Sequence, residues 1–238
     1  MTPAALAWEA LPGLFPGFEE PGRWLPLLKR HAALIDEAAA RVRVTAVEAA
    51  EAVRRQYAES LELLRIAELE GPAERLADVG SGGGFPGLVT AIVRPGMAVD
   101  LVEPLKKRAM LLVQAAAELG LTNVTVHAER AEECGRGALR DRAGVVTARA
   151  VAEMRVLLEY TAPLAAPGGL IVLPKGSNLQ VELAAAGRAL EALDCEVAAI
   201  HRMRAGISES LSVVLVRKRG STPGQYPRRA GMPGKRPL

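Results

Sequence analysis

The sequence predicts an α/β fold: a mostly parallel sheet with helices on both faces, its final strand antiparallel, preceded by a helical region. Three observations predict it. From about residue 73 to 217, short apolar runs alternate with stretches of helical period, the pattern of repeated βα units. The last two runs, CEVAAIHRM and LSVVLVRK, have no helix between them, so a hairpin puts one antiparallel strand into the sheet. A glycine cluster, LADVGSGGGFPGL, follows the first run, where sheets of this kind hold their ligands.

The 238 residues divide into 1–70, 71–218 and 219–238. In the first part DEAAARVRVTAVEAAEAVRRQYAESLELLRIAEL is helical in pattern. Its apolar residues recur at 3–4 spacing, its Glu/Arg pairs share the polar side, and it lacks Gly and Pro. Helical pieces at 4–10 and 23–35 are broken by Pro12, Pro16, Pro21 and Pro26. After Gly71-Pro72, RLADVG is a strand, and GLVTAIVRPG is the helix behind the glycines. AVDLVEP is the second strand, and LKKRAMLLVQAAAELG an amphipathic helix closed by Gly120. NVTVHAE and GVVTARA are the third and fourth strands. EMRVLLEYTAPLAAPGG reads as a helix with a glycine stop, LIVLPKG as the fifth strand and NLQVELAAAGRALEAL as a further helix before the two final strands. The last part, RGSTPGQYPRRAGMPGKRPL, has too little apolar surface to fold alone and is expected to be flexible until it binds something.

Composition removes several classes of function. No apolar run approaches the roughly 20 residues that span a bilayer, and the N-terminus lacks a basic leader. Cys134 and Cys195 stand in unrelated contexts, which argues against a disulfide framework and for a reducing cytoplasm. His31, His127 and His201 are scattered, with no zinc-ligand spacing, so no metal is expected. The net charge of +3 conceals a split. Seven bases and no acid lie between Arg217 and Leu238: Arg217, Lys218, Arg219, Arg228, Arg229, Lys235 and Arg236. The remainder is acidic, and a basic tail on an acidic body points to a phosphate-bearing partner with steep salt dependence.

Two nucleotide chemistries compete for the glycine turn. A dinucleotide reading, Gly82-x-Gly84-x-x-Gly87, places Pro86 inside a pyrophosphate turn and leaves Gly80 unexplained. The other reading runs from Asp78 through Gly80, Gly82 and Gly84, the S-adenosylmethionine loop of Rossmann-like methyltransferases. A diphosphate would not welcome Asp78, whereas a ligand with an ammonium and a sulfonium tolerates it. Glu103, ending the second strand, can accept hydrogen bonds from both ribose hydroxyls in either case. Main-chain groups at Ala131 and Glu132 could bond an adenine edge, although Glu132 is equally a solvated acid at a helix start.

With DVGSGGGFPG, EPLKKR, RAEE, VVTARA, LPKG and YPRRAGMPGKRPL in view, the chain resembles the RsmG (GidB) family over nearly its whole length. The resemblance implies a class I methyltransferase sheet and transfer of a methyl group to guanine N7 in 16S ribosomal RNA, in the small-subunit loop near the decoding centre. It also implies S-adenosylmethionine held at Gly80, Phe85, Glu103, Pro104, Leu105, Ala131, Glu132 and Arg149.

The residues are compatible with that chemistry. The Asn/Asp/Ser-Pro-Pro-aromatic motif of exocyclic-amine methylation is missing after the fourth strand, where Thr147-Ala148-Arg149-Ala150 stands. Neither cysteine has the context of a cytosine-C5 nucleophile. Guanine N7 carries an unprotonated lone pair and needs no general base, so positioning can supply the rate, worth roughly 7–11 kcal/mol. Arg149 can bond guanine O6 or a phosphate but must leave N7 open; a salt bridge holding the loop is the competing role. Lys175 is either an RNA contact or a solvated loop lysine. Lys106, Lys107 and Arg108 either face phosphate or form a solvated face. Aromatics are scarce, so RNA recognition is expected to rest on the tail, Arg149, Lys175 and the helical Arg41, Arg43, Arg54 and Arg55. An NAD(P)-dependent oxidoreductase and a non-catalytic RNA-binding assembly factor are the alternatives. A monomer is the default state.

Overall fold

The computed structural model describes residues 6–39, 47–149 and 152–238. A 3₁₀ turn at Trp8–Ala10 leads into α1 (Leu11–Leu14) and then α2 (Pro21–Ala39). Pro21 opens α2, where a missing N–H costs nothing. Pro26, expected to break the helix, lies inside it. The helix survives that lost bond because Trp24, Leu28, His31, Leu34 and Ile35 bury one face. A second rod follows: α3 (Ala49–Ala52), a π-helical stretch (Val53–Ala58) and α4 (Glu59–Glu68). The helical pattern expected across this region is interrupted at Glu48, which is extended at ψ 147°. Residues 40–46, with Arg41 and Arg43, and Ala150 lie outside the described residues.

The sheet has seven strands in the order β3-β2-β1-β4-β5-β7-β6. They are β1 (Arg75–Val79), β2 (Ala98–Val102), β3 (Val124–His127), β4 (Ala143–Ala148), β5 (Ala165–Lys175), β6 (Cys195–Arg202) and β7 (Ser212–Lys218). The first five run parallel, and β7 pairs antiparallel with both β5 and β6. The final strand therefore slots between its two neighbours. Helices α5 (Gly87–Val93), α6 (Lys106–Glu118), α7 (Ala131–Cys134), α8 (Met154–Thr161), α9 (Leu179–Ala185) and α10 (Gly187–Ala192) complete the layers. Two expected boundaries move. The helix expected through Gly169 stops at Thr161, ahead of Pro163, and its AAPGG tail joins β5 through a register shift against β4. The helix expected over 178–193 divides at Ala186. Among the described residues no helix is long and apolar enough to cross a membrane.

Side chains alternate across the strands, as a two-residue repeat requires. In β7, Val213 and Leu215 enter one core with Leu28, Leu61, Leu88 and Leu112, while Val214 and Val216 enter the other with Leu157 and Leu158. Among the described residues the N-terminal helices share the first core with the sheet.

The expected flexible tail is instead docked. Lys218 is fully buried; its Nζ bonds Asp141, the Ala165 carbonyl (2.7 Å) and Thr222 Oγ1 (2.6 Å). Arg140 donates to the carbonyls of Thr222 and Tyr226, each at 2.8 Å, and Arg136 to that of Pro227 at 2.9 Å. Arg228 grips the buried carboxylate of Glu159 through its main-chain N–H (2.8 Å), Nε (2.8 Å) and Nη2 (2.5 Å). A last turn, α11 (Met232–Lys235), packs on α8. Composition missed this because it counts only apolar area within the tail. The tail orders by meeting charged groups of the body, a gain invisible from its own residues. Lys218 and Arg228, read as RNA contacts, are thereby consumed internally, while Arg217 pairs with Glu70 (2.6 Å) and Arg219 with Asp194 (3.0 Å). Arg229, Lys235 and Arg236 stay exposed.

Candidate active site

The site starts where β1 ends. The N–H groups of Gly80 and Ser81 both reach the Val102 carbonyl, at 2.8 and 3.3 Å, so the turn is stitched to the end of β2. Gly80 and Gly82 have φ of +74° and +55°, the left-handed region that favours glycine. The Gly82 N–H donates to Glu103 Oε2 at 3.0 Å, and the Leu105 N–H to Oε1 at 2.9 Å. One buried carboxylate thus ties the first turn to the second.

Asp78 and Gly84 do something other than expected. Asp78 is wholly buried; Oδ2 accepts from the Gly87 N–H (3.1 Å) and Oδ1 from Thr147 Oγ1 (3.0 Å). It braces the turn from behind, occupying the Gly87 N–H at the start of α5, and does not line the cavity. Burial pushes its carboxyl up to about 6, against the pull of Thr147 and Gly87. Gly84, at φ +92°, is packed so closely that a Cβ would meet Leu88 at 2.6 Å. It shapes the turn.

The turn forms one wall of a cavity of about 830 Å³. Gly80 to Gly83, Glu103, Pro104 and Leu105 lie along it, with Ala131 and Glu132 from α7. Phe85 from the same turn, Arg149 just after β4, and Pro174 and Lys175 at the end of β5 complete the wall. Lys175 is no solvated loop lysine. It is buried, and its Nζ bonds Glu182 (2.7 Å) and the Ala152 carbonyl (3.1 Å). Arg149 donates to the Arg55 carbonyl (2.8 Å), stands 3.5 Å from Glu59 and lies over the Phe85 ring at 5.6 Å. Burial pulls the Arg149 pKa down while Glu59 and Asp78 oppose it; burial raises Glu59 while Arg149 opposes that. Both cysteine thiols are pushed up to about 12 by burial, which leaves neither as a thiolate nucleophile at neutral pH.

Sequence reasoning missed Glu59, Tyr160 and Leu211 on the cavity wall, and had Arg55, which also lines it, only among the helical arginines expected to meet RNA. The sequence around Glu59, RRQYAESLEL, is mostly polar and carries no local signal that this carboxylate is buried. Also missed was a buried chain behind the turn. His31 Nε2 donates to the Gly83 carbonyl (2.9 Å), and its Nδ1 accepts from the Tyr57 hydroxyl (3.2 Å). Phe85 packs against both rings, at 5.1 and 5.2 Å.

That chain gives a testable pH dependence. Burial pulls His31 from 6.5 down to about 4. Its folded value lies below its unfolded one, so its stabilising effect is complete above pH 6.5 and is lost as pH falls towards 4. Asp78, raised from 3.8 to about 6, works oppositely: its effect is complete below 3.8 and is lost as pH rises through 6. The two slopes offset each other in the wild type. His31→Gln is expected to lose stability from pH 4 to 6, and Asp78→Asn from pH 6.5 down to 4, each by about 2–3 kcal/mol. Urea unfolding at five pH values checks this; parallel profiles for the two variants would contradict it.

The antiparallel β7 between β5 and β6, the glycine turn after β1 and the carboxylate closing β2 together define the class I methyltransferase fold. Solved structures agree at the level of fold. Cofactor-bound Rv0187 from MTB superposes with a TM-score of 0.58 at 20% identity, over 82% of this chain and 91% of that one. The O-methyltransferase TomG from Streptomyces achromogenes, in complex with SAM, gives 0.54 at 19%, over 82% and 90%. Within that class, residues 25–211 match the family model for GidB, rRNA small subunit methyltransferase G. The Chloroflexus aggregans protein of that name is 43% identical over 187 residues, 78% of each chain. The Desulfitobacterium hafniense one is 42% identical over 202 residues, 83% of this chain and 82% of that one. This chain belongs to the rRNA small subunit methyltransferase G family.

The cofactor of that family is S-adenosylmethionine, and the cavity fits it. Its volume lies in the range of cofactor sites. It presents a buried carboxylate for a ribose beside a turn whose cavity side is Gly80, Ser81, Gly82 and Gly83, and an apolar edge at Pro104 and Leu105 for an adenine.

Proposed function

We propose that this protein methylates N7 of a guanine in 16S ribosomal RNA, in the small-subunit loop near the decoding centre. It acts in the cytoplasm, as a monomer, on the RNA or the small ribosomal subunit. The observation that carries this reading is the single cavity in which the Gly80–Gly82 turn and Glu103 face Arg149 across the carboxyl ends of β1, β2 and β4. When bound there, S-adenosylmethionine supplies a methyl group on a positively charged sulfur. Glu103 holds the ribose hydroxyls, Pro104 and Leu105 pack the adenine, and Ala131 with Glu132 meets its edge. Gly80 and Gly82 admit the methionine portion, with Asp78 and Gly84 fixing the turn's shape and Phe85 its floor. The chain's remaining task is orientation, because the N7 lone pair needs no proton removed. Arg149 bonds guanine O6 or a neighbouring phosphate and leaves N7 in line with the methyl.

The segment 71–218 binds the cofactor, and the helices of 1–70 close its substrate side through Arg55 and Glu59. Arg229, Lys235 and Arg236 of 219–238, with Lys106 and Lys107 near the cavity mouth, supply the contacts to RNA phosphate. Lys175 contributes by holding Glu182 at the wall. The antiparallel insertion of β7 and the close fit behind the turn disfavour a dinucleotide ligand. The test is transfer of labelled methyl from S-adenosylmethionine to 16S RNA, or to small subunits from a strain lacking this gene, followed by mapping of the modified base. Label on one guanine N7 is expected; label on another atom, or none, overturns the proposal.

A further inference from the structure

The docked tail ends at the cofactor cavity. Beyond Arg228, the Gly231 N–H donates to Glu132 Oε1 at 2.7 Å. Glu132 is buried and lines the cavity beside Tyr160. Tyr160 itself lies against the tail, since a Cβ on Gly234 would sit 3.5 Å from its hydroxyl. Among the anchors that hold this arrangement are Arg140 on the carbonyls of Thr222 and Tyr226, Glu159 on Arg228, and Glu132 on Gly231. A buried carboxylate is costly unless it is hydrogen-bonded. The tail's N–H meets that need and fixes one oxygen of Glu132, and so its rotamer, where the adenine end of the cofactor is to be recognised.

We infer that the basic C-terminal segment is a positioning strap for the cofactor site, with Arg228 and Gly231 holding Glu132 in place, and not solely an arm for RNA. This rests on the cofactor reading above. Losing the strap weakens cofactor binding at any salt concentration, because its contacts are internal, whereas losing an RNA arm weakens RNA binding and lowers its salt slope.

The experiment is calorimetric titration of the full chain with S-adenosylhomocysteine, in a cycle of wild type, Arg228→Ala, Glu132→Ala and the double variant. Arg228→Ala is expected to raise Kd about tenfold at both 50 and 300 mM NaCl. In the Glu132→Ala background the same change is expected to add less than twofold. With saturating cofactor, kcat should stay within about twofold while KM for S-adenosylmethionine rises. Arg228→Ala strands the Glu159 carboxylate, so Arg140→Gln provides a second variant that leaves that pair intact; a rise of about threefold in Kd is expected. Unchanged Kd in the folded variants overturns the strap, as does an equal loss in both Glu132 backgrounds. Wild-type protein that binds no S-adenosylhomocysteine overturns the cofactor reading itself, a distinct result.

Discussion

Replacing Glu103 by alanine is expected to abolish useful cofactor binding, raising Kd for S-adenosylhomocysteine by about 100-fold or more. The carboxylate lies at the junction of the two turns that form the cavity wall, with one oxygen on the Gly82 N–H and the other on the Leu105 N–H. Each oxygen keeps acceptor capacity for a ribose hydroxyl. Hydrogen bonds to a charged group are worth about 1.5–3 kcal/mol each, and about 2.7 kcal/mol corresponds to a hundredfold in affinity. Glu103→Gln is expected to be nearly as harmful despite its similar shape. Whichever way the amide turns, its NH₂ faces a backbone N–H, and one of the two turns is pushed away. Calorimetry measures both variants, with thermal melting to establish that they fold. A Kd within threefold of wild type for either would remove Glu103 from the binding wall.

That result would also test how a sequence announces a site. The sheet was legible because its strands are short apolar runs between helical stretches, and the missing final helix forced β7 to run antiparallel. Gly80, Gly82 and Glu103 were legible because φ > 0 and a strand-end carboxylate are local requirements. Asp78 was seen as important but aimed at the wrong partner. Its neighbours Gly87 and Thr147 are 9 and 69 positions away, and only the fold brings them to its oxygens. Glu59, His31 and Tyr57 were missed for the same reason: helical periodicity identifies a buried face without saying what that face meets. The tail was misjudged because its composition was weighed alone, whereas its anchors, Asp141, Glu159, Arg140 and Glu132, belong to the body.

The second large effect is at Arg149, where Arg149→Ala is expected to lower kcat about 100-fold or more while changing Kd for S-adenosylhomocysteine less than threefold. One donor of the guanidinium goes to the Arg55 carbonyl, and its contact with Glu59 is a loose one at 3.5 Å. A fork of five donors held this lightly retains N–H groups for a substrate. Losing a single pre-aimed donor at a reacting centre costs roughly 10²–10³ in kcat. The variant should still fold. Burial raises the Glu59 carboxyl and Arg149 opposes that rise together with Arg55 and Arg54, so without Arg149 the acid still has two cations beside it. Arg149→Lys separates charge from shape, because a lysine keeps the positive charge but cannot present a planar fork to O6 and a phosphate together. Partial recovery of kcat by lysine would assign the effect to charge, and none to the fork. If instead kcat holds and Kd rises in Arg149→Ala, the residue serves the cofactor. If only the melting temperature falls, its pairing with Glu59 is structural and the guanine is oriented by something else.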